Sequence, residues 1–218
     1  ENYYPAGSLL ASLYFNDAFD LPISKYDVMI VSTWRGNIGY PQDVVDTMAS
    51  MKIMDQLLAR YIETRKLNCA IALRAERDSE DWNMPGIGNE YDYYRNIYDE
   101  SVEILDANFS ERAIYPNMQK ARLIVSTLSS ALNEAYGRGK KILFFNYTNK
   151  NTYHCDIDPV IVCTQTDYVE LSKLLDELLA RDEQDYQRLH MKSMKRAMSF
   201  PANGNSHRFI SNQIDKII

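Results

Sequence analysis

Residues 121–146 read ARLIVSTLSSALNEAYGRGKKILFFN, and this stretch decides the fold. At its two ends, Ala121–Ser126 and Lys141–Asn146 are short apolar runs that predict two buried strands. Between the runs, a turn rich in serine and threonine leads into a predicted helix over Leu128–Arg138, which ends near Gly139. A strand, a helix and a second strand in this order predict a βαβ unit with two parallel strands.

The same alternation extends along the chain on both sides of that unit. Apolar runs predict further strands at Tyr26–Thr33, Asn68–Arg74, Ser101–Leu105 and Pro159–Cys163. Apolar residues at helical spacing predict helices that begin at Pro41, at Glu90, after a cap at Thr166 or Asp167, at Glu183 and at His207. We therefore predict an α/β fold, with a doubly wound parallel sheet of about six strands and helices on both faces.

The composition is that of a packed globular protein. The chain has 218 residues, of which 45% are hydrophobic and 25% are charged. We expect an N-terminal extension or linker over residues 1–25, a Rossmann-like domain over 26–199 and a C-terminal helical tail over 200–218. Because the chain begins at Glu1 rather than at methionine, we also expect it to be a fragment of a longer protein.

The overall charge excludes some classes of partner. A formal net charge of −6 is a poor match for unspecific nucleic-acid binding, so an anionic ligand must be met by a local patch of cations. No run of about 18 apolar residues occurs, and at most a peripheral contact with a membrane is expected. The three cysteines lack CxxC spacing, and Cys69 and Cys163 fall in predicted strands. These features predict reduced thiols in a cytoplasmic protein, which could lie at the inner face of the plasma membrane.

The candidate binding residues follow the predicted strands. Ligands of open parallel sheets bind at the carboxyl ends of the strands, so the residues just beyond those ends are the candidates. Hydroxyl groups and three arginines gather there in a chain that is acidic overall, as a phosphate ligand would require; the alternative is that loops are polar in general. The candidates are Thr33, Arg35, Gly36, Arg74, Arg77, Ser126, Thr127, Ser129, Ser130 and Glu134.

The start of the helix after Ser126 is the sharpest of these features. Free backbone N–H groups and the positive end of the helix dipole favour an anion beside Ser129 and Ser130. The two hydroxyl groups could instead only cap the helix. Glu134 lies about one turn further on, where it could accept hydrogen bonds from a ribose diol or face solvent.

Other common site signatures are weak or missing. Asp156-Ile157-Asp158 spells a DxD motif, but Pro159 follows it, which favours a turn over a metal site. The three histidines have no metal-ligand spacing, and no metal site is predicted. Neither GxGxxG nor GxxxxGK[ST] occurs, so nicotinamide and P-loop functions lose their main support.

Two segments resemble a known family. LIVSTLSSALNEAYGRGKKILFFN, residues 123–146, resembles the strand, hydroxyl pair, helix, glycine, lysine and strand in the C-terminal nucleotide-binding half of GT-B glycosyltransferases. MIVSTWRGN, residues 29–37, resembles the "PTWR" strand and turn in the same half of CDP-glycerol glycerophosphotransferases and related bacterial surface-polysaccharide transferases. The two segments occur in the same order as in the family.

The resemblance implies a transferase that moves a sugar from a nucleotide-activated or CDP-linked donor to a bacterial surface polysaccharide or a related glycan acceptor. It implies no metal and no separate cofactor. Glu134 would lie near the donor ribose, and Thr33 and Arg35 would border the cleft between two domains. The acceptor domain, with any general base, would be a missing N-terminal half, so the fragment alone would be inactive. The residues at the donor phosphates would be Ser126, Thr127, Ser129 and Ser130.

One departure and two alternatives accompany this interpretation. Teichoic-acid-type transferases commonly carry a His-Pro pair after the second strand, whereas this chain has Arg74-Ala75-Glu76-Arg77, which favours a donor without glycerophosphate. The first alternative is a non-catalytic, flavodoxin-like domain that senses a nucleotide or binds a partner. The second is an epimerase of similar two-domain layout, for which Glu76 and Glu134 are the obvious acid/base candidates.

Overall fold

Short apolar runs form the strands, as their length and burial predict. The computed structural model describes residues 8–9, 12, 24–36, 41–77, 79–84, 86–108, 114–127, 129–148, 150, 158–198 and 206–216, without the side chains of residues 41–45 and 81. Six strands pair in parallel in the order β3-β2-β1-β4-β5-β6, which confirms the predicted sheet. They are β1 (Tyr26–Val31), β2 (Cys69–Ala72), β3 (Glu103–Leu105), β4 (Ala121–Ser126), β5 (Ile142–Phe145) and β6 (Val162–Cys163).

The order of the strands creates a crevice at the centre of the sheet. Val28 of β1 is in register with Cys69 of β2 on one side and with Leu123 of β4 on the other. From β1 the chain winds outward to β2 and β3, then returns to the centre and winds outward again through β5 and β6. The connections that follow β1 and β4 therefore diverge, and a crevice opens between them at the carboxyl ends of the strands.

Helices cover both faces of the sheet. They are α1 (Pro41–Arg65), α2 (Glu90–Arg95), α3 (Ile114–Gln119), α4 (Ser130–Gly137), α5 (Tyr168–Ala180), α6 (Glu183–Ala197) and α7 (Ser206–Ile214). Right-handed crossovers that run in opposite directions place α1 and α4 on opposite faces. On the face of α1, Tyr61 donates a hydrogen bond to Asp176 of α5 at 2.7 Å. On the face of α4, the hydroxyl groups of Tyr136 and Ser193 of α6 are hydrogen-bonded.

The caps explain where several helices begin and end. The carboxylate of Asp167 accepts bonds from the backbone N–H groups of Val169 and Glu170, so Asp167 rather than Thr166 caps α5. Asn89 caps α2 in the same way, through the N–H of Asp92. Gly139 has a φ of +84°, a conformation that glycine adopts without strain, and it follows the end of α4 as predicted.

Two parts of the secondary structure differ from the prediction. The predicted strand Pro159–Cys163 begins with a 3-10 helix over Pro159–Ile161, because Asp158 caps the N–H of Val160 and leaves only two residues to pair with β5. The helix α3 was not predicted. Pro116 lies within this segment and argues against a helix in the sequence. Proline is nevertheless tolerated in a first helical turn, where the backbone N–H has no helical partner.

Two further expectations concern the cysteines and contact with a membrane. Cys69 and Cys163 are free and buried, whereas Cys155, Asp156 and Ile157 lie outside the described residues. Within the described part of the chain, no helix combines the length and the apolar character that crossing a bilayer requires.

A fully buried carboxylate joins α1 to α2 and the segment after it. Asp55 accepts hydrogen bonds from Tyr93 and from Tyr98, each at 2.9 Å. Burial raises the pKa of Asp55 to about 7, although the two tyrosine hydroxyl groups act in the opposite direction. Between about pH 4 and pH 7, the folded protein therefore holds a proton on Asp55 that the unfolded chain, with an aspartate pKa of about 4, releases.

This shift predicts a dependence of stability on pH. The stability that protonated Asp55 contributes is fully present below about pH 4 and is lost as pH rises through about 7, an effect on the order of a few kcal/mol. Asp55→Asn, which is neutral at every pH, should flatten the fall in unfolding free energy between pH 4.5 and 7.5, as measured by urea denaturation. Asp176→Asn is the control, because bonds from Arg65 and Tyr61 lower the pKa of Asp176 and its titration lies below this window. Equal slopes in wild type and Asp55→Asn would contradict the assignment.

Candidate functional site

A cavity of about 510 Å³ opens at the carboxyl ends of β1 to β4, where the strand order reverses. Side chains from four strand ends, from α3 and from the start of α4 form its wall. The lining residues are Val31, Ser32, Thr33, Arg35, Ala72, Arg74, Leu105, Asp106, Ala107, Asn108, Ile114, Tyr115, Asn117, Ser129 and Ser130. The structure thus brings five of the ten predicted site residues to one wall: Thr33, Arg35, Arg74, Ser129 and Ser130.

Two half-buried arginines dominate the charge of this wall. Arg35 follows β1 and Arg74 follows β2, and no carboxylate among the described residues lies within ion-pairing distance of either. Burial lowers the pKa of Arg74, and the positive charge of Arg35 lowers it further. The Nε of Arg35 is buried and has no hydrogen-bond partner among the described residues. Two like charges held at one cavity favour a bound anion, which relieves their repulsion.

A buried carboxylate holds the loop of Arg74 from behind. Glu90, the first residue of α2, is 2% exposed and accepts the backbone N–H of Arg74 at 3.0 Å and that of Ala75 at 2.6 Å. Burial raises the pKa of Glu90, and these N–H groups and the Ser32 hydroxyl act against that rise. Sequence analysis missed Glu90, because an acidic residue after an asparagine cap is also an ordinary way to begin a helix.

Close packing of two loops shapes the turn after β1. The indole N–H of Trp34 donates to the backbone oxygen of Trp82 at 2.7 Å. Gly36 has a φ of +55°, and a Cβ there would lie 2.5 Å from the same oxygen, so only glycine fits. The guanidinium of Arg74 lies 5.3 Å from the ring centre of Trp82. Gly36 therefore serves this packing and does not form part of the cavity wall.

The start of α4 faces the cavity without a side-chain cap. Ser129 occupies the N-cap position with extended backbone angles, but its hydroxyl makes no capping bond. Its backbone oxygen accepts the N–H of Leu132 at 3.2 Å. The cap alternative from the sequence thus lacks its defining hydrogen bond, and the hydroxyl groups of Ser129 and Ser130 lie on the wall of the cavity.

Two predicted hydroxyl residues join the central strands instead. The Ser126 hydroxyl donates to the backbone oxygen of Val31 at 2.7 Å, and Ser126 is fully buried. The hydroxyl groups of Thr127 and Thr33 are 2.5 Å apart. Ser126 and Thr127 therefore hold the ends of β4 and β1 together behind the cavity wall, whereas their partners Val31 and Thr33 line the cavity.

Glu134 and Arg77 lie near the cavity but are already bonded. Glu134 accepts a hydrogen bond from Ser8 at 2.5 Å and one from Tyr115, a lining residue, at 2.8 Å. Arg77 forms an ion pair with Asp106, which lines the cavity, and its guanidinium lies 3.8 Å from the ring centre of Tyr91. A ligand hydroxyl would have to replace an existing donor at Glu134. Arg77 reaches the cavity only through Asp106.

The described residues include no cluster of side chains suited to a metal ion. Within the described ranges, no group of three or more histidine, cysteine, aspartate or glutamate side chains is arranged to hold a metal ion. The carboxylate of Asp158, the described end of the DxD motif, caps the 3-10 helix before β6 and contacts His190 at 3.1 Å.

Comparisons with known proteins reveal similarity in fold. No protein-family model and no curated protein sequence matches the chain. A structure assigned as a UDP-N-acetylglucosamine 2-epimerase from Listeria monocytogenes is 12% identical, with a TM-score of 0.55 over 94% of this chain and 51% of that one. Sucrose-phosphate synthase from Thermosynechococcus elongatus is 12% identical, with a TM-score of 0.53 over 97% of this chain and 52% of that one.

A third solved structure is similar to this chain in fold. UDP-GlcNAc 2-epimerase from Methanocaldococcus jannaschii, in complex with UDP-GlcNAc and UDP, is 10% identical, with a TM-score of 0.53 over 97% of this chain and 54% of that one. The chain thus spans about half the length of each of these proteins. Their fold is the GT-B fold, so the expected resemblance to one GT-B half is confirmed at the level of fold.

The arginine pair predicts binding of a simple anion. Pyrophosphate should raise the melting temperature of the wild-type protein, and Arg74→Gln should remove most of that rise, since it removes one of the two cavity cations. A ligand at 100 times its dissociation constant adds about 2.7 kcal/mol of stability. Arg60→Gln is the control and should retain the rise, because Arg60 lies on α1 over the ring of Tyr168 and does not line the cavity. Equal rises in the wild type and Arg74→Gln at constant ionic strength would contradict this site.

Proposed function

We propose that this chain is the donor-binding domain of a GT-B glycosyltransferase, which transfers a sugar from a nucleotide-activated donor to a bacterial surface polysaccharide or a related acceptor. One observation carries the proposal: two arginines that form no ion pair with a described residue, and a helix start without a side-chain cap, face one cavity at the point where the strand order reverses. Such a point is where open α/β sheets bind ligands, and a helix start favours phosphate.

The dimensions and lining of the cavity suit a nucleotide. A volume of about 510 Å³ falls within the range of small-molecule sites, about 300–1,000 Å³. Across the sheet, the wall runs from Ser129 and Ser130 at β4, past Arg35 and Arg74 at β1 and β2, to Leu105 at β3. A diphosphate between the serines and the arginines would leave its nucleoside toward the β3 end, where Leu105, Asp106, Ala107 and Asn108 line the wall. The M. jannaschii epimerase, which has a similar fold, is in complex with UDP-GlcNAc and UDP, and this supports a nucleotide sugar as donor.

The proposed chemistry depends on charge and alignment. When the glycosidic bond to the donor phosphate breaks, negative charge grows on the departing diphosphate. Arg35, Arg74 and the positive end of α4 would stabilise that charge, so no metal is required in this proposal. Holding the donor and the acceptor close together and correctly oriented lowers the activation barrier further. Because the chain spans about half the length of its structural neighbours, we assign the acceptor site and any general base to another domain.

Two alternative functions differ from the transferase in the chemistry that they require. An epimerase is favoured by two of the structural neighbours, but it needs acid/base carboxylates at the sugar. Among the described lining residues the carboxylate is that of Asp106, which is paired with Arg77. A non-catalytic nucleotide sensor would bind the same ligands but would transfer no sugar. Assay of the full-length protein with radiolabelled nucleotide sugars, with and without a glycan acceptor, separates transfer, epimerisation and binding alone.

Nucleoside diphosphates should bind more tightly than nucleosides, with or without EDTA. Each hydrogen bond to a charged phosphate is worth about 1.5–3 kcal/mol, so UDP, CDP or GDP should bind at least about tenfold more tightly than the matching nucleoside. CMP, with one phosphate fewer than CDP, should fall between. Titration calorimetry measures these affinities. Loss of binding in EDTA would contradict the metal-free site, and equal affinity for nucleosides would contradict the phosphate site.

The two serines at the start of α4 should contribute to affinity more than to stability. Replacing both Ser129 and Ser130 with alanine should weaken UDP binding about tenfold or more. It should change the unfolding free energy by less than about 1 kcal/mol, because Ser129 makes no capping bond. Asp167→Ala is the matched control, since it removes a true cap from α5 and should lower stability without affecting affinity. Unchanged affinity with a lower melting temperature in the serine variant would show that these serines only cap the helix and do not bind the ligand.

A further inference from the structure

We propose that Glu90 is a positioning residue that sets the spacing and direction of Arg35 and Arg74 by holding the backbone of both their loops. The proposal rests on the proposed function only in that the ligand carries phosphate groups. Glu90 does not line the cavity, and it forms an ion pair with neither arginine.

The carboxylate of Glu90 lies against two strand ends. Its two oxygens accept the backbone N–H of Arg74 at 3.0 and 3.1 Å, and one of them also accepts the N–H of Ala75 at 2.6 Å. The hydroxyl of Ser32, just after β1, lies beside the same carboxylate and acts to lower its pKa. One buried side chain from α2 therefore connects the loop after β2 to the end of β1.

The connection continues along the β1 loop to Arg35. The hydroxyl oxygen of Ser32 accepts the backbone N–H of Trp34 at 3.1 Å, and Trp34 directly precedes Arg35. The ring of Tyr93, from the same helix as Glu90, packs on Trp34 with ring centres 5.3 Å apart. Both arginines thus leave loops whose backbone is fixed by α2, while their guanidinium groups face the cavity.

A carboxylate suits this position better than any neutral group. Two backbone N–H groups donate to Glu90 and the Ser32 hydroxyl lies beside it, and an ionised carboxylate, which is an acceptor only, has lone pairs for all of them. The amide of a glutamine would present an NH₂ group to at least one of these donors. Asn89 caps α2, and Glu90 lies at its first residue, where a negative charge is favourable.

The charge of Glu90 and its hydrogen bonds have opposite effects on an anionic ligand. Arg74 is the charged group that acts on Glu90, and the charge of Glu90 in turn raises the pKa values of Asp55 and Tyr94. As a negative charge behind two cations, Glu90 repels a phosphate, so its neutralisation alone would tighten binding. As the anchor of both loops, it keeps the cations in place, so its loss would weaken binding. The sign of the change in affinity therefore decides which role dominates.

The test compares two substitutions at Glu90 with one control. Glu90→Gln removes the charge and keeps the size, whereas Glu90→Asp keeps the charge and shortens the reach by one methylene. Glu80→Gln removes a charge from an exposed side chain two residues before Trp82. The probes are pyrophosphate and UDP, titrated by tryptophan fluorescence. Both tryptophans of the chain lie beside the arginines, since Trp34 precedes Arg35 and Arg74 stacks near Trp82.

Positioning predicts that Glu90→Gln and Glu90→Asp both weaken binding of the two probes, by about tenfold, while Glu80→Gln matches the wild type. The tryptophan emission of the free protein should also shift in Glu90→Gln, because the turn around Trp34 loses its anchor. Tighter binding by Glu90→Gln, with wild-type binding by Glu90→Asp, would overturn positioning in favour of a charge effect. Wild-type affinity in both variants would overturn it outright.

Folding and the proposed function are checked in the same experiment. Circular dichroism and thermal melts establish that each variant is folded. If Glu90→Gln does not fold, Glu90→Asp carries the test, because it keeps the charge and shortens the reach to the N–H groups of Arg74 and Ala75; unchanged affinity in that variant would count against positioning. Failure of the wild-type protein to bind either probe would contradict the proposed function, whereas wild-type binding with unaffected variants would contradict only the role of Glu90.

Discussion

The parallel pairing of β1 with β4 is the constraint on which the rest of the structure depends. Because the chain leaves this pair in opposite directions, the two connections diverge and cannot fill the space between them. Hydrogen bonds from Ser126 to Val31 and between Thr33 and Thr127 hold the two strand ends together behind that space. The cavity floor is therefore hydrogen-bonded sheet, and the side chains around it come from the residues just beyond the strand ends.

The charges near the cavity show how an acidic chain can present a cationic site. A net charge of −6 spreads over the surface, where water and salt screen it. Arg35 and Arg74 are half-buried, and their field is screened far less. Glu90 lies close behind them, but its bonds to backbone N–H groups occupy its oxygens. The arginines thus keep their hydrogen-bond donors for another partner, while a nearby negative charge moderates their repulsion.

Helix α2 and the segment after it concentrate buried polar groups in one part of the core. Tyr93 and Tyr98 satisfy the buried carboxylate of Asp55, and Tyr93 also packs against Trp34 at the edge of the site. A buried polar group without a partner costs free energy, so each of these groups is met by a specific partner. The same contacts that satisfy Asp55 therefore also brace the loop that carries Arg35.

The sequence alone determined the class of the fold and five of the fifteen residues that line the candidate site. Alternating apolar runs and helical patterns predicted six parallel strands, because burial on both faces of a sheet requires continuous apolar strands. The rule that ligands bind at strand ends then led to Thr33, Arg35, Arg74, Ser129 and Ser130. These five residues line the cavity because strand ends in a parallel sheet meet at one edge.

Only the tertiary structure decided what each polar side chain contacts. Ser126 and Ser129 look alike in the sequence, yet one bonds Val31 across the sheet and the other faces the cavity. Arg77 resembles Arg74, but Asp106, 29 residues further along, pairs with it. Glu90 reads as an ordinary helix start, and its role depends on loops 15 and 16 residues away in the chain. Periodicity records which residues are buried, whereas hydrogen-bond partners depend on distances between segments that only folding brings together.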